Sequence, residues 1–410
     1  MGKRIIIAGG GPSGMCAAIY AARNGATVTI IEKNTVLGKK LSMTGNGRCN
    51  MTNLDMREEY YNPAARGRMK EWLSTYGVED VICFFKSLGV VVKSEDGYIY
   101  PLSGQAVTVV KALENEIKRL GIKVIFGEQL KGVIKRSEGG VYDVQTDKST
   151  YEADAVILAV GSLSGAKSTM STGDGYYICK KLGMTVKDTF PALVGFKCAS
   201  DELMPSAGVR ITAEVSFVLG KETLAKEYGE IQLTADGISG IPVMQASREI
   251  NRFVEEGKPV YAVIDFFPDY DEVDYKALKS DMLRLKDDRT LDEFLQGFSN
   301  SYITDMVLGR MKLGRSMKMK NISVSMAECI LDNYRAMRLR IEKSYGYQAS
   351  QVTSGGISLG DIGSDFACKK DHNIFVIGEL VDVDGRCGGY NLQWAFTSGS
   401  IAGVAASLST

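Results

Sequence analysis

The chain opens with short apolar runs that alternate with glycine-rich turns. Residues 3–8 and 27–31 each form an apolar run, and a stretch of small residues from 15 to 24, closed by Gly25, lies between them. Short apolar runs bounded by turns are typical of buried strands, and a longer small-residue stretch that ends in glycine is typical of a helix. The pattern therefore predicts a β-α-β unit at the N-terminus.

The later pattern changes twice. The segment ADAVILAVGS (153–162) predicts a buried strand that rejoins the first sheet, and residues 191–268 alternate apolar and polar as an inserted β domain would. Residues 271–346 are charged and are predicted to be helical, before a last buried strand at Ile374 to Ile377. We expect an α/β fold in which a nucleotide-binding domain is split. Its predicted parts are 1–190 and 350–410, with a β domain at 191–268 and a helical domain at 269–349.

Composition narrows the class of partner. The 410 residues are 45% hydrophobic, and Lys plus Arg equals Asp plus Glu at 49 each. A neutral chain gives no electrostatic case for nucleic acid or an anionic membrane. No apolar stretch approaches the ~20 residues that span a bilayer, and the first apolar run stops at glycines, unlike a signal peptide. We expect a cytoplasmic protein, monomeric or homodimeric, that acts on a small molecule.

The cysteine and histidine content indicates that the chemistry of this protein depends on a bound cofactor. The eight cysteines contain no C-x-x-C spacing, and His372 is the one histidine of the sequence. Neither a disulfide scaffold nor a histidine-based metal site is expected, and no G-x-S-x-G elbow supports a serine nucleophile.

The first turn carries a dinucleotide fingerprint. Gly9, Gly11 and Gly14 form G-x-G-x-x-G after the first strand, and Glu32 ends the second strand 18 residues later. Such glycines permit a tight turn, approach of a pyrophosphate and close packing of the helix, while the acid binds a ribose. Since no second such motif follows, we expect no dedicated domain for a pyridine nucleotide.

Two other segments extend this interpretation. The polar loop GKKLSMTGNGRCNMTN (38–53) directly follows the nucleotide strand, and long ordered loops of this kind are commonly functional. Near the end, Glu379 follows a buried strand, and Gly388 and Gly389 precede an apolar helix. We expect the acid to hold ribityl hydroxyls and the glycines to let a flavin ring approach the helix N-terminus. A capped core helix with a glycine hinge is the alternative.

Four stretches together resemble one family. IIIAGGGPSGMCAAIYAARNGATVTIIEKN, GKKLSMTGNGRCNMTN, TGDGYYICKKLGM and GELVDVDGRCGGYNLQWAFTSG are similar to the HI0933-like flavoproteins, nearly end to end. The resemblance implies non-covalent FAD in a split, GR2-like Rossmann-type domain, with inserted β-barrel-like and helical domains.

The resemblance also implies site residues. The ADP half would be held by Gly9, Gly11, Pro12, Ser13, Gly14, Glu32 and Lys33, with Val133 beside the adenine. The ribityl chain and the ring would be contacted by Lys40, Gly47, Arg48, Gly161, Gly378, Glu379, Gly389, Asn391 and Leu392.

The expected reaction is FAD-dependent reduction of a conjugated C=C in a 3-oxo compound of bile-acid or steroid type, with NAD(P)H considered as a diffusible reductant. Tyr390 would be the acid that protonates the α-carbon or polarises the carbonyl, although a packed tyrosine is the alternative. Two further hypotheses stay open: an amine oxidase of aminoacetone type that releases hydrogen peroxide, and a flavin-binding redox-partner, RNA-modification or sensor protein.

Overall fold

The structure is a computed structural model that describes residues 2–137, 140–165, 169–199, 208–285 and 287–409. The chain divides into two compact units. The first unit comprises Met1–Phe190 with Gln351–Thr410, and the second comprises Pro191–Ser350.

Within its described residues, the first unit is organised around a six-stranded sheet whose core is parallel. Its strands, from one edge to the other, are Ala367–Cys368, Asp371–Val376, Ala155–Leu158, Arg4–Ala8, Thr27–Glu32 and Lys123–Phe126. The edge strand Ala367–Cys368 is antiparallel, and the others run parallel. The sheet order reverses beside Arg4–Ala8, the position at which open α/β sheets bind ligands.

Two helices with small side chains pack closely in this unit. They are Pro12–Arg23, which connects the first two strands, and Tyr390–Leu408 at the end of the chain. A Cβ atom on Gly399 would lie 2.5 Å from the Ser13 carbonyl oxygen, and one on Gly403 would lie 2.4 Å from that of Ala17. The last helix is therefore fixed against the helix that starts at the glycine turn.

The rest of the first unit surrounds this layer. Its other helices are Arg66–Thr75, Val78–Ser87, Ala106–Arg119 and Asp174–Lys181, with 3₁₀ turns at Leu41–Gly47, Glu58–Tyr60, Leu359–Asp361 and Gly378–Leu380. Small sheets are formed by Thr52–Asn53 with Val92–Glu95 and Tyr98–Pro101, and by Leu130–Lys135 with Tyr142–Thr146 and Thr150–Ala153. Val186–Ala192 pairs with Val352–Ile357.

The second unit contains a closed barrel in its described residues. The barrel strands are Phe196–Cys198, Gly237–Gly240, Glu222–Leu233, Arg210–Leu219, Val260–Asp265 and Met337–Ser344. The helices are Ile241–Glu255, Glu272–Arg284, Leu291–Leu295, Ser301–Arg310 and Val324–Arg335, with a 3₁₀ turn at Met319–Asn321. The predicted fold class, a Rossmann-type α/β domain with an inserted barrel, is confirmed.

One expected helical stretch is a strand. Met337–Ser344 was expected to be helical because Arg, Lys, Leu and Glu favour helices. Its side chains instead alternate between buried and exposed over most of its length, which is the period of a strand, and it pairs with both Phe196–Cys198 and Val260–Asp265. Barrel closure thus overrides local propensity.

Candidate flavin site at the carboxyl edge of the sheet

The first turn leaves open space at its second glycine. Gly9 has φ +107°, and a Cβ on Gly14 would lie 2.0 Å from the Gly9 carbonyl oxygen, so the protein itself requires both glycines. Around Gly11, in contrast, a Cβ would meet no atom within 4 Å among the described residues. The helix begins at Pro12 without a side-chain cap, and Met15 donates to the Gly11 carbonyl (2.9 Å). The N–H groups of Ser13 and Gly14 precede that bond, which suits an anion.

Glu32 is buried and fixed by neighbouring donors. One carboxylate oxygen accepts from the Gly10 N–H (2.7 Å), and the other accepts from the N–H and the side-chain amide of Asn34 (2.7 Å each). A carboxylate offers about four acceptor positions, so room for a ribose hydroxyl remains. Burial lowers the pKa of neighbouring Lys33, while Asp174 and Glu32 oppose that shift.

Lys40 and Glu379 meet although 339 residues separate them. The Lys40 ammonium donates to both Glu379 oxygens (2.7 and 2.6 Å), and the two side chains are only 29% and 20% exposed. One follows the strand Thr27–Glu32 and the other follows Asp371–Val376. Both therefore lie at the carboxyl edge of the parallel sheet, as the sequence predicts for cofactor-binding residues.

Hydroxyl groups that sequence reasoning missed complete this cluster. Ser162 and Ser164 donate to Glu379 (2.8 and 3.1 Å), Lys40 also donates to Ser164 (2.7 Å), and Thr353 donates to Ser162 (3.0 Å). The signal was available in part, because Ser162 follows the buried strand Ala155–Leu158 directly after Gly161. Like Glu379, Ser162 lies just after a buried strand of the sheet and is therefore expected near its carboxyl edge. No feature of the sequence around Thr353 indicates a place in the site.

In the polar loop after the second strand, the side chain of Arg48 is already engaged by other residues of the protein. Its guanidinium pairs with Glu95 (2.5 Å) and lies over the Tyr100 ring, 4.3 Å from the centroid. Gly47 has φ +82° with open space around it. A flavin contact by either residue stays a prediction.

The two glycines before the last helix were predicted to make room for a flavin ring, but contacts within the protein already account for them. Gly388 and Gly389 have φ of +118° and +94°. A Cβ on Gly388 would lie 2.7 Å from the Tyr98 ring, and one on Gly389 would lie 2.6 Å from the Thr52 carbonyl oxygen. Protein packing alone therefore requires glycine at both positions, and their presence is not by itself evidence of a ligand.

Tyr390 is a packed tyrosine. Its hydroxyl donates to the Asp55 carbonyl oxygen (3.1 Å), and its ring meets those of Tyr60 and Tyr61 edge-on, with centroids 5.1 and 6.2 Å away. Burial raises the pKa of this phenol, so it stays protonated at neutral pH. The geometry favours the packing alternative, and a catalytic role stays a prediction.

Asn391 uses its side chain inside the protein. Its amide oxygen accepts from the Gly385 N–H (2.8 Å), and its NH₂ group donates to the carbonyls of Gly385 (3.0 Å) and Arg386 (3.2 Å). The side chain thus braces the turn before the helix. Only the backbone N–H groups of Asn391 and of half-buried Leu392 remain to serve a cofactor.

Three predicted cofactor-binding residues remain: Gly378 and Gly161, which follow strands of the large sheet, and Val133, which lies in a small sheet. Gly378 lies against Ser13: its φ is +66°, and a Cβ there would come 2.5 Å from the Ser13 hydroxyl. Gly161 has φ +76° with open space. Val133 belongs to the three-stranded sheet of Leu130–Lys135 and is buried in the hydrophobic core, so its contact with adenine stays a prediction.

These residues fit FAD. Gly11 leaves space where a pyrophosphate would approach a helix N-terminus, and Glu32 retains an acceptor position. At the other helix N-terminus, the Asn50 Oδ1 atom is buried without a partner in the described structure, beside Gly389. A buried acceptor that the protein does not satisfy indicates a donor from outside the chain. No cluster of three or more potential metal ligands occurs among the described residues.

Solved structures share the fold. The chain is similar to a 3-ketosteroid Δ4-(5α)-dehydrogenase from Rhodococcus jostii RHA1 (TM-score 0.54, 15% identity, 99% of this chain and 97% of that one). It also resembles a 3-ketosteroid Δ1-dehydrogenase from Sterolibacterium denitrificans (TM-score 0.53, 12% identity, 98% and 99%). These two likenesses show the fold, a Rossmann-type domain with an inserted barrel.

The family follows from the sequence comparisons. Residues 3–405 match the HI0933-like protein Rossmann domain. The chain is 37% identical to a 3-dehydro-bile acid Δ(4,6)-reductase of Clostridium scindens, over 98% of this chain and 99% of that protein. It is 25% identical to a ribosomal RNA dihydrouridine synthase of Haemophilus influenzae, over 96% of each. The chain belongs to the HI0933-like family, as the sequence predicted.

Among the described residues, the structure has no helix with the length and apolar character needed to cross a membrane.

Proposed function

We propose that this protein is an FAD-dependent reductase of a C=C bond conjugated to a carbonyl, in a 3-oxo substrate of bile-acid or steroid type. The observation that carries the proposal is the 37% identity to a 3-dehydro-bile acid Δ(4,6)-reductase along 98% of the chain. Identity of this extent without truncation of either protein supports a shared type of reaction.

The bound flavin would supply the hydride that reaches the β-carbon of the substrate. The residues of the chain bind and orient it. The N-terminus of Pro12–Arg23 attracts the pyrophosphate, and Glu32 accepts from a ribose hydroxyl. Glu379, oriented by Lys40 and two serine hydroxyls, would present an acceptor oxygen to the ribityl chain. NAD(P)H as the diffusible reductant, a cytoplasmic location and a monomeric or dimeric state belong to this proposal.

A uridine in RNA is the second candidate substrate. The observation in its favour is the 25% identity to ribosomal RNA dihydrouridine synthases of Haemophilus influenzae and Escherichia coli. The 5,6 double bond of uridine is also conjugated to a carbonyl, so the same hydride chemistry would serve both substrates. The balance of 49 basic and 49 acidic residues favours the small molecule, because binding to the RNA backbone depends on excess positive charge.

Stopped-flow absorbance under anaerobic conditions tests the proposal. The FAD-loaded protein would be reduced with NADH or NADPH, then mixed with a 3-oxo-4-ene steroid, a 3-oxo-4,6-diene bile acid, unmodified ribosomal RNA or oxygen. Reoxidation by either enone faster than by oxygen is expected. Faster reoxidation by the RNA would overturn the choice of substrate, and bleaching by aminoacetone with peroxide on aeration would replace the reductase by the oxidase. A protein that binds FAD but reacts with none of these would be left with the sensor or redox-partner hypothesis.

A further inference from the structure

One buried acceptor is unexplained by the protein itself. Asn50 Oδ1 is shielded from solvent and has no hydrogen-bond partner in the described residues. It lies 2.9 Å from the point that a Cβ on Gly389 would occupy. Gly389 is the cap of the helix Tyr390–Leu408 and contributes no side-chain hydrogen bond. The acceptor therefore lies directly beside a helix N-terminus.

The backbone before Asn50 is held in an uncommon conformation. Cys49, which directly precedes Asn50, has φ +60° although it is not glycine. The Cys49 N–H donates to the Thr44 carbonyl (3.0 Å), and its side chain is buried, so the turn is fixed from both sides. Left-handed non-glycine residues persist only where the surroundings enforce them, and they occur preferentially at functional sites. The turn therefore fixes the backbone that leads into Asn50.

The helix start that lies beside this acceptor carries backbone donors. Gln393 donates to the Gly389 carbonyl (2.9 Å) as the first bond of the helix, so the N–H groups of Tyr390, Asn391 and Leu392 lie ahead of the intrahelical ladder. A ligand that suits this place has a hydrogen-bond donor next to an acceptor that gains negative charge. The pyrimidine edge of an isoalloxazine has this pattern, with N3–H beside the C2 carbonyl.

We infer that Asn50 binds the flavin through its Oδ1 atom, which accepts the N3–H, while the N–H groups of Asn391 and Leu392 face the C2 carbonyl. This inference rests on the proposed function, since it takes FAD as the bound group. It makes Asn50 the residue that recognises the pyrimidine edge and satisfies the orphaned acceptor.

Binding of FAD and 3-methyl-FAD to the apoprotein tests the inference, because methylation removes the N3 proton. Four proteins would be compared by fluorescence titration: wild type, Asn50→Leu, Asn50→Asp and Asn46→Gly. We expect Asn50→Leu to weaken FAD binding about tenfold, the size of one lost hydrogen bond. Methylation should weaken binding to the wild type and cost Asn50→Leu much less. Asn50→Asp keeps the acceptor and should retain the preference for FAD over 3-methyl-FAD.

The Asn46→Gly variant is the control, and different results would contradict the inference and the proposed function. Asn46→Gly removes an exposed asparagine of the same loop at a left-handed position that glycine accepts, so FAD affinity should not change. Equal loss on methylation in wild type and Asn50→Leu would overturn the inference and leave an ordered water as the partner of Asn50. A wild-type apoprotein that binds no FAD would instead overturn the proposed function. If Asn50→Leu does not fold, Asn50→Ser, whose shorter side chain withdraws the acceptor, takes its place in the same comparison.

Discussion

Two helix N-termini face the proposed cofactor, and their glycines are there for different reasons. At the first, Gly11 has ordinary backbone angles and open space around its Cα, so nothing in the protein demands glycine. At the last, Gly388 and Gly389 are left-handed and pressed against Tyr98 and Thr52. A glycine that the protein does not need is stronger evidence of a ligand than one that it does. The comparison separates a binding glycine from a structural glycine.

The largest effect is expected on the stability of the protein when one of the two structural glycines, Gly389, is replaced. Gly389→Ala places a Cβ 2.6 Å from the Thr52 carbonyl at φ +94°, which side chains disfavour and backbone cannot easily relieve. We expect the free energy of unfolding of the apoprotein to fall by about 2–4 kcal/mol. Chemical denaturation without FAD measures this.

Gly67→Ala is the matched control for this substitution. Gly67 lies inside the helix Arg66–Thr75 with open space, so alanine there should raise the stability by up to about 1 kcal/mol. An apoprotein of Gly389→Ala as stable as the wild type would show that Thr52 and the turn yield readily, and that packing does not explain the glycine.

The substitution Gly11→Ala tests the glycine that we assign to FAD binding. Since the site is open and the backbone suits alanine, the apoprotein should lose about 1 kcal/mol or less, the cost of a poorer cap. The methyl group would stand where the pyrophosphate approaches the helix, so FAD affinity should fall on the order of 100-fold, about 2.7 kcal/mol. Titration of apoprotein with FAD and denaturation without it measure the two quantities. A large stability loss with unchanged FAD affinity would reverse the assignment of Gly11.

The sequence predicted contacts within this site only where the residues lie in one segment, although it named Lys40 and Glu379 singly as cofactor-binding residues. The glycine turn and Glu32 fall within one β-α-β unit, so spacing was sufficient to predict their proximity. The cluster joins residues of four separate segments, Lys40, Ser162, Thr353 and Glu379, which the strand order of the large sheet and the packing of a separate strand bring together. Strand order depends on long-range packing, which local patterns do not encode. For the same reason, the local pattern of Met337–Ser344 predicts a helix, whereas its pairing with distant strands of the barrel makes it a strand.

A smaller effect is expected in the acid–hydroxyl cluster that lies between the two termini in sequence. Lys40→Met removes the ammonium from Glu379, while Ser162 and Ser164 still donate to the carboxylate. We expect FAD affinity to fall about tenfold, because a charge-assisted hydrogen bond that orients Glu379 is lost. Lys39→Met removes the same charge from the neighbouring residue, whose ammonium bonds Asn34 instead, and should change the affinity by less than about threefold. Equal losses in both variants would mean that net charge matters and that the Lys40–Glu379 contact does not.

The smallest effect is expected at Tyr390, the first residue of the last helix and the predicted acid. If its hydroxyl serves packing, Tyr390→Phe loses one hydrogen bond to the Asp55 carbonyl and about 1 kcal/mol of stability. Reoxidation of the reduced protein by the enone should then change by less than about threefold, whereas loss of a general acid costs about 100-fold or more. Tyr60→Phe removes a neighbouring phenol that also bonds Asp55 and serves as the control. A collapse of the rate in Tyr390→Phe alone would restore the catalytic assignment, and it would mean that the protonated phenol leaves the Asp55 carbonyl during turnover.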